Sequence, residues 1–549
     1  MGDIVGVDFG TSTSLLAVST ARGAQTLPIG QTNKWIPSIA GLSGTTWSVG
    51  DDAANLDEPS IVRSIKRAIT DNRELVTLSD GARTTILKAD DVIRDILGEI
   101  VQRAAYNAVS VSDESATVRL GCPAMWTGPQ RKRLIELAND AGVPVRDSTL
   151  VDEPIAAGVA WINGQLAKGN RLDGKVLVYD MGGGTLDIAI LRVKANAAAL
   201  SSRADIAVQA ANGNEIAGDL VDRTLLETLK TRLAEAGFDA DAPGHGTDLA
   251  GWLLRATREA KVQLSTLHET IVVVPHPRIS IPAVELRRED VAEAIEPLLR
   301  RSMDRVWEVA RAALMSQVAG STEAQTLTPE QARRLGEDDL KDGIGYVLLA
   351  GGMSHVPAVG EFLGEVFGHD RIYRDGDPEE LIVRGLGADE AYESLNLHRP
   401  GFDFVLEWTD QTGTHERAVY EAYTPFYDRL QVLSTGSVKY MRRFNADQRL
   451  PRHGKGLVRA RSVSGETIPL TIDGEHVEGI PFDFGADPNA HMSIEPNGRV
   501  HLRDGFGRVS EWFIARWPVI KGRGNEAVHI TRTREASAQK EWYYDRSGD

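Results

Sequence analysis

Two aspartates, each closing a run of β-type apolar residues, carry the first chemical signal in this 549-residue chain. Asp8 ends the first run of IVGVDFGTSTSLLAV (residues 4–18), and Asp180 ends that of VLVYDMGGGTLDIAIL (residues 176–191). Each is followed by a small-residue turn and a second apolar run. The first turn holds Gly10, Thr11 and Ser12; the second holds Gly182, Gly183, Gly184 and Thr185. Such turns suit a polyphosphate, because glycine lets backbone N–H groups approach phosphate oxygens and hydroxyls add donors. An aspartate at the strand end can hold a hydrated divalent cation. One such turn alone reads equally well as a plain β-hairpin. The repeat predicts two similar half-domains facing each other, with the turns opposed and Asp8 and Asp180 sharing one magnesium ion. Asp187, one strand position past the second turn, either joins the water shell of that ion or is a solvated strand residue.

A third glycine signal lies in YVLLAGGMSHVPAVGEFLGEVFG (residues 346–368). It predicts a strand, a break at Gly351 and Gly352, and a helix with Pro357 in its first turn and Phe362, Leu363, Val366 and Phe367 on its buried stripe. After two phosphate turns, Gly351 and Gly352 fit a place where backbone lies against a flat adenosine. A Walker-type phosphate loop and a dinucleotide fingerprint are both absent from the sequence.

To about residue 395, strands alternate with helix-period segments, the habit of an α/β architecture. Helices are expected over 89–109, 128–142 and 288–315, the last kinked or divided at Pro297. Residues 237–251 and 319–343 read as surface inserts, the second with Thr328 and Pro329 opening a short helix. From residues 398–404 onward the pattern changes to short β-like runs at 417–423, 429–435, 437–444, 456–463 and 499–504. The hairpin over 492–505 is the clearest, with Asn497 and Gly498 at positive φ in its turn. The division expected is therefore 1–396 and 397–549.

Bulk composition bounds the rest. A hydrophobic share of 42% and a charged share of 25% fit a folded chain of two to four compact units. The net charge of −17 disfavours nucleic acid and anionic membrane as main partners. The single cysteine, Cys122, excludes intramolecular disulfides and cysteine-rich zinc sites. With no basic-then-apolar leader and no apolar run of about 18 residues, a cytoplasmic location is expected.

Taken in order and spacing, the three glycine signals resemble the actin, hexokinase and heat-shock ATPase superfamily, and further segments resemble its seventy-kilodalton heat-shock chaperone branch. SIVRSIKRAITD maps Lys66 onto the catalytic lysine of that family, and LVDEPIAAGVAW maps Glu153 and Pro154 onto its Glu-Pro-Thr-Ala-Ala segment. IAGDLVDRTLL matches a further stretch at Gly218 and Asp222, and REAKVQLST matches the adenosine-side helix at Lys261 and Ser265. The resemblance covers about residues 3–393. It implies a two-lobed, actin-like ATPase domain with duplicated ribonuclease H-like lobes, binding ATP and Mg2+. In it Asp8, Asp180 and Asp187 would organise the metal, and Thr11, Ser12 and Gly182 to Gly184 would hold phosphates. Lys66, Glu153, Asp180 and Thr185 would be the catalytic set.

Some positions depart from the family pattern. Arg258 stands where a ribose-binding glutamate is usual, and His355 where an arginine stacks on adenine. Pro378, Glu379, Glu380 and Leu381 replace Pro-Asp-Glu-Ala. The phosphate clamp is thus expected to be closer to the family than the base and ribose contacts. Residues 466–507 are similar in strand order to the family's β-sandwich for extended peptides, but the acidic-then-leucine linker is missing and no lid helix is expected after Trp517. The resemblance implies slow ATP hydrolysis, an unfolded peptide or a dedicated protein as partner, and a J-domain protein and nucleotide-exchange factor as helpers. The rival readings are a small-molecule kinase of the sugar-kinase branch and a nucleotide-dependent filament protein.

Overall fold

The computed structural model describes residues 4–79, 84–113, 116–195, 204–242, 249–316, 329–374, 376–388, 397–427, 430, 432, 438–444, 449–514, 517 and 527–532. Its first 388 residues build two main sheets with the same plan. In the first, Ile4–Phe9 lies between its hairpin partner Thr13–Thr20 and the parallel strand Thr117–Cys122; Gly23–Leu27 and Leu150–Asp152 extend the two sides. In the second, Asp173–Met181 lies between its hairpin partner Leu186–Ala195 and the parallel strand Tyr346–Ala350, with Ala204–Asn214 and Ile372–Tyr373 outside them. Antiparallel hairpin strands on one side and crossover strands on the other recur in both. The repeated sequence is therefore a repeated topology.

Helices follow from apolar stripes and caps. Ala89–Tyr106 buries Val92, Ile93, Ile96, Leu97 and Ile100, and Gly128–Asp140 starts in a capping box in which the Thr127 N–H donates to Gln130 Oε1 at 3.0 Å. Arg288–Met315 is one continuous helix through Pro297, so of the expected kink or division the division does not occur. An interior proline costs about 3 kcal/mol, and each fully buried large apolar side chain returns about 1.5–3 kcal/mol. The stripe of Ile295, Leu298, Leu299, Met303 and Val306 therefore outweighs it. Residues 329 onward in the second insert form two short helices, Pro329–Arg334 and Glu337–Asp342; Thr328 lies outside the described residues. On Pro357–Phe367 the expected Leu363 and Phe367 are buried, joined by Val359, while Phe362 and Val366 are only half-buried.

Beyond residue 400 the chain is β-rich. A five-stranded sheet centres on Asp403–Asp410 and Gly454–Arg461, and a seven-stranded one runs from Tyr440–Arg443 to Glu475–Val477. Alternating burial along Ile480–Phe484 and Arg499–Arg503 turns Phe482, Phe484, Val500 and Leu502 into a shared apolar core. The expected hairpin pairs His491–Ile494 with Arg499–Arg503. In its turn only Gly498 takes positive φ, at 91°, and not Asn497. Asp403–Asp410 is a strand where sequence reading saw only a replaced linker. The run at 429–435 falls largely, and the segment after residue 532 wholly, outside the described residues.

This β-rich part packs on the first lobe through buried charge. Arg131 is fully buried and pairs with Asp152 at 2.6 Å, donates to Trp126 O at 2.8 Å, and sets its guanidinium 3.7 Å from the Tyr423 ring centroid. Arg399 donates to Ala124 O at 2.8 Å and lies 3.6 Å from Asp152. Beside them His398 is buried, with neither ring nitrogen partnered among the described residues. Burial, then Arg399 and Arg131, holds its pKa well below the usual histidine value.

The short helix Glu380–Leu386 lies between the first strand and the helix Glu153–Ala167, and a Cβ at Gly385 would overlap the Ala156 backbone carbonyl. Because backbone meets backbone there, Gly385→Ala is expected to cost about 1–3 kcal/mol by urea unfolding; an unchanged midpoint would contradict this packing. For His398 the sign follows from linkage. The unfolded state takes up a proton below about pH 6.5 and the folded state does not, so stability should fall as pH drops below that value. His398→Gln should flatten the acid limb relative to the parent, and parallel pH profiles would count against it.

Candidate functional site

The two hairpin turns meet. A Cβ added at Gly183 would collide with Ser12 Oγ, and one at Gly184 would lie 2.6 Å from Thr11 Oγ1, so both glycines are required by the approach of the opposite turn. The second turn is closed by Gly182 N donating to Thr185 O at 3.0 Å. It is anchored to the start of the helix Gly218–Glu235 by Gly218 N to Gly182 O at 3.1 Å and Asp219 N to Gly183 O at 2.8 Å. The first turn is held tight at Gly10, where a Cβ would strike the Thr13 carbonyl, and Ser12 O accepts from Ser38 N at 2.9 Å.

Asp8, Asp180, Asp187, Glu153 and Lys66 form one buried charge cluster under these turns. Lys66 donates to Glu153 Oε1 and sits 5.8 Å from the Trp126 ring centroid. Burial acts to lower the Lys66 pKa, but Glu153 and Asp8 outweigh it and the ammonium is favoured. Burial, then Glu153, raises the pKa of Asp8; burial, then Glu153 and Asp187, raises that of Asp180. Asp187 is raised by burial and Glu153, against hydrogen bonds from Thr185 and from the Ala124 N–H at 2.7 Å. Asp187 is therefore a buried, anchored residue rather than a solvated one. Lys66 likewise is no surface lysine.

The remaining expected residues lie around the edge of this cluster. Gly351, at φ 76°, turns so closely over the end of the second central strand that a Cβ would lie 2.5 Å from Asp180 Oδ1. A Cβ at Gly218 would meet Met353 Sδ at 3.0 Å and Lys261 Nζ at 3.3 Å, which brings those three together. Lys261 pairs with Asp222 at 2.5 Å, and Ser265 Oγ donates back to Lys261 O at 3.3 Å. Arg258 also reaches Asp222, at 3.1 Å, and approaches Glu58 of the first lobe at 3.8 Å, where Arg63 is bound at 2.7 and 2.9 Å. His355, 42% exposed, lies 3.6 Å from Asp377 and 3.9 Å from Glu379, and Gly352 faces Glu379. Sequence reading missed Glu58 and Trp126 as members of this region and named Glu379 only as a departure from the family pattern. Their signals are tertiary, since each is an ordinary residue until the lobes meet.

A cation is consistent with this donor set. Asp8 Oδ1 is buried with no hydrogen-bond partner among the described residues, and four carboxylates face one ammonium. Among the described residues no three His, Cys, Asp or Glu side chains converge as direct ligands. The donors gathered here are all carboxylate oxygens, which suit a hard divalent cation.

Fold and cleft define a two-lobed α/β protein of the duplicated, nucleotide-cleft type with a β-rich C-terminal region. The family model described as "Hsp70 protein" matches residues 4–319, more than half of the chain, and the chain belongs to the Hsp70 family. It is similar to "Chaperone protein DnaK" of Thermosipho africanus, 29% identical over 418 residues covering 73% of this chain and 61% of that protein. The Thermotoga maritima protein of the same name is 27% identical over 416 residues, with the same coverage. "Chaperone protein HscA homolog" of Pseudomonas aeruginosa is 29% identical over 431 residues, 73% and 59% covered. The chain thus spans about three fifths of the length of these relatives. Among the described residues no helix is long and apolar enough to cross a membrane.

Removing one partner of a buried ion pair typically costs about 3–5 kcal/mol, since the other charge stays buried and unpaired. Lys66→Met should therefore destabilise by that order, and Lys66→Met with Glu153→Gln by clearly less than the two single losses combined. Additive losses in urea unfolding would show that the two side chains are not energetically coupled.

Proposed function

We propose that this protein is a nucleotide-regulated chaperone that binds ATP with Mg2+ between its two opposed turns and hydrolyses it slowly. The observation that carries the reading is the apposition of Gly183 and Gly184 on Ser12 and Thr11 above the buried cluster of Asp8, Asp180, Asp187, Glu153 and Lys66. In this reading the turns donate backbone N–H groups and hydroxyls to the β- and γ-phosphates. Asp8, Asp180 and Asp187 hold the waters of the ion, which when bound would neutralise phosphate charge. Lys66 stabilises charge on the transferred phosphoryl group, Glu153 orients Lys66 and the attacking water, and Thr185 stands beside the γ-phosphate. Phosphoryl transfer needs positioning and charge neutralisation more than covalent help, so this set is sufficient equipment.

On the adenosine side, Gly218, Lys261, Ser265, Gly351, Gly352 and His355 are the proposed contacts. Arg258 is already engaged with Asp222 and Glu58, which supports a weaker hold on ribose than a free carboxylate would give. The division into 1–396 and 397–549 belongs to the same proposal, as do a cytoplasmic setting and a C-terminal β-region that binds an unfolded peptide or a dedicated partner, assisted by a J-domain protein and an exchange factor. Membership of the Hsp70 family and the printed names of the DnaK and HscA relatives support it.

Isothermal titration should detect ATP binding that EDTA abolishes. Lys66→Ala and Thr185→Ala should each slow single-turnover hydrolysis by about 10²- to 10³-fold, the usual effect of losing one preorganised charge-stabilising contact, while weakening ATP binding far less. Parent protein that binds no ATP with magnesium present would end the nucleotide reading. Turnover indifferent to both unfolded peptide and a J-domain protein would end the chaperone part alone.

A further inference from the structure

The seam between the first lobe and the C-terminal part encloses an ionisable ring that neither side engages. His398 borders a cavity of about 20 Å³, sharing its lining with Leu150, Asp152 and Ile155 of the first lobe and with Arg399 and Tyr423. It is buried, and neither ring nitrogen has a partner among the described residues. The space takes a single water, not the hydration shell that an imidazolium needs.

The charges around the ring are unbalanced. Arg131, from the helix Gly128–Asp140, and Arg399 both act on His398, and they share one carboxylate, Asp152, at 2.6 and 3.6 Å. Cys122, Tyr420 and Tyr423 stand near these arginines, but burial pushes all three up and they add no negative charge. Among these groups two cations face one anion while the ring is neutral, and three would face one after protonation. Polar contacts help to close the same seam. Arg399 Nη2 donates to Ala124 O at 2.8 Å, and Ser464 Oγ donates to Asp147 Oδ2 at 2.8 Å.

We propose that His398 makes this seam a proton-operated joint, at which acid releases the C-terminal part from the first lobe while both lobes stay folded. In the open seam the ring meets water and takes up a proton in its ordinary range, near pH 6.5. The closed seam refuses that proton, so each pH unit below this value favours opening about tenfold. Asp403 acts in the opposite sense. Burial pushes its carboxyl up to about 6, with Asp147 and Lys132 of the first lobe also acting on it, so proton uptake there favours the closed form as pH falls. The part played by His398 is therefore the difference between the parent and a variant that keeps Asp403.

Hydrogen exchange read by mass spectrometry on the full chain, corrected for the intrinsic effect of pH, tests this. Peptides covering 397–404 and 147–152 report the seam, and the core strand Asp173–Met181 is the reference. Between pH 7.5 and 5.0, opening at the seam should rise about 30-fold more in the parent than in His398→Gln, with the reference strand still protected. His398→Phe, which keeps a ring but cannot be protonated, should lose the same response. Because either substitution alters packing, the quantity compared is the fold-change with pH within each protein. An equal response in the parent and either variant, or protection lost from the reference strand together with the seam, would overturn the joint.

Discussion

Four carboxylates and one ammonium share the buried space beneath the paired turns, and the architecture is arranged around that imbalance. Two like charges 4 Å apart repel by about 4 kcal/mol even at an effective dielectric constant of 20. Free side chains would relieve such repulsion by moving apart or taking up protons. Here they are denied the first route, since Asp8 and Asp180 end central strands, Glu153 opens a helix and Asp187 is pinned by the Ala124 N–H. The raised pKa values of the three aspartates are the signature of the second. A hydrated cation, as proposed, would remove that need for protons, and Glu153 and Asp8 meanwhile keep Lys66 charged inside protein.

Duplication explains how a chain achieves this symmetrically. Each central strand carries its aspartate at the same end, next to its hairpin turn, because the two sheets share strand order and pairing sense. The lobes are not identical, however. Opposite Asp180 in the hairpin register stands Asp187, whereas opposite Asp8 stands Leu15. The second lobe therefore contributes two hairpin aspartates to the cluster and the first contributes one, with Lys66 and the fourth carboxylate, Glu153, completing that side.

How much of this could be read from the sequence depended on range. Runs of β-type apolar residues ending in an aspartate, each followed by a small-residue turn, marked both hairpins, and the glycine pair at 351 and 352 marked the third connection, because local backbone demands are written in local residue types. Helix existence was legible for the same reason. At Pro297 the division did not follow, because a local cost of a few kcal/mol was overruled by a long buried stripe that only the fold assembles. Asp187 stayed ambiguous because solvation is a property of what packs on the strand, and Ala124 comes from 63 residues upstream. Glu58 and Trp126 were invisible for that reason too. Asp403–Asp410 was missed because the segment was weighed only against the family's linker, which it does not match, and not as a strand in its own right.

The cluster and the C-terminal part meet in two consecutive residues. Asp152 and Glu153 end a strand and begin a helix, both buried, and successive side chains at such a junction face different ways. Glu153 holds Lys66 in the cleft, while Asp152 holds Arg131 and lies beside Arg399, the two arginines that flank Tyr423. The peptide between them is short and covalent, and the helix behind it is locked at Ala156 by Gly385. Glu153 and the buried pairing of Asp152 with two guanidinium groups are therefore separated by a single peptide unit. Buried charges tolerate little misalignment, because a lost pairing exposes each to its full desolvation cost. The residue that holds the cleft lysine and the residue that holds the arginines under the C-terminal part are thus neighbours in the chain.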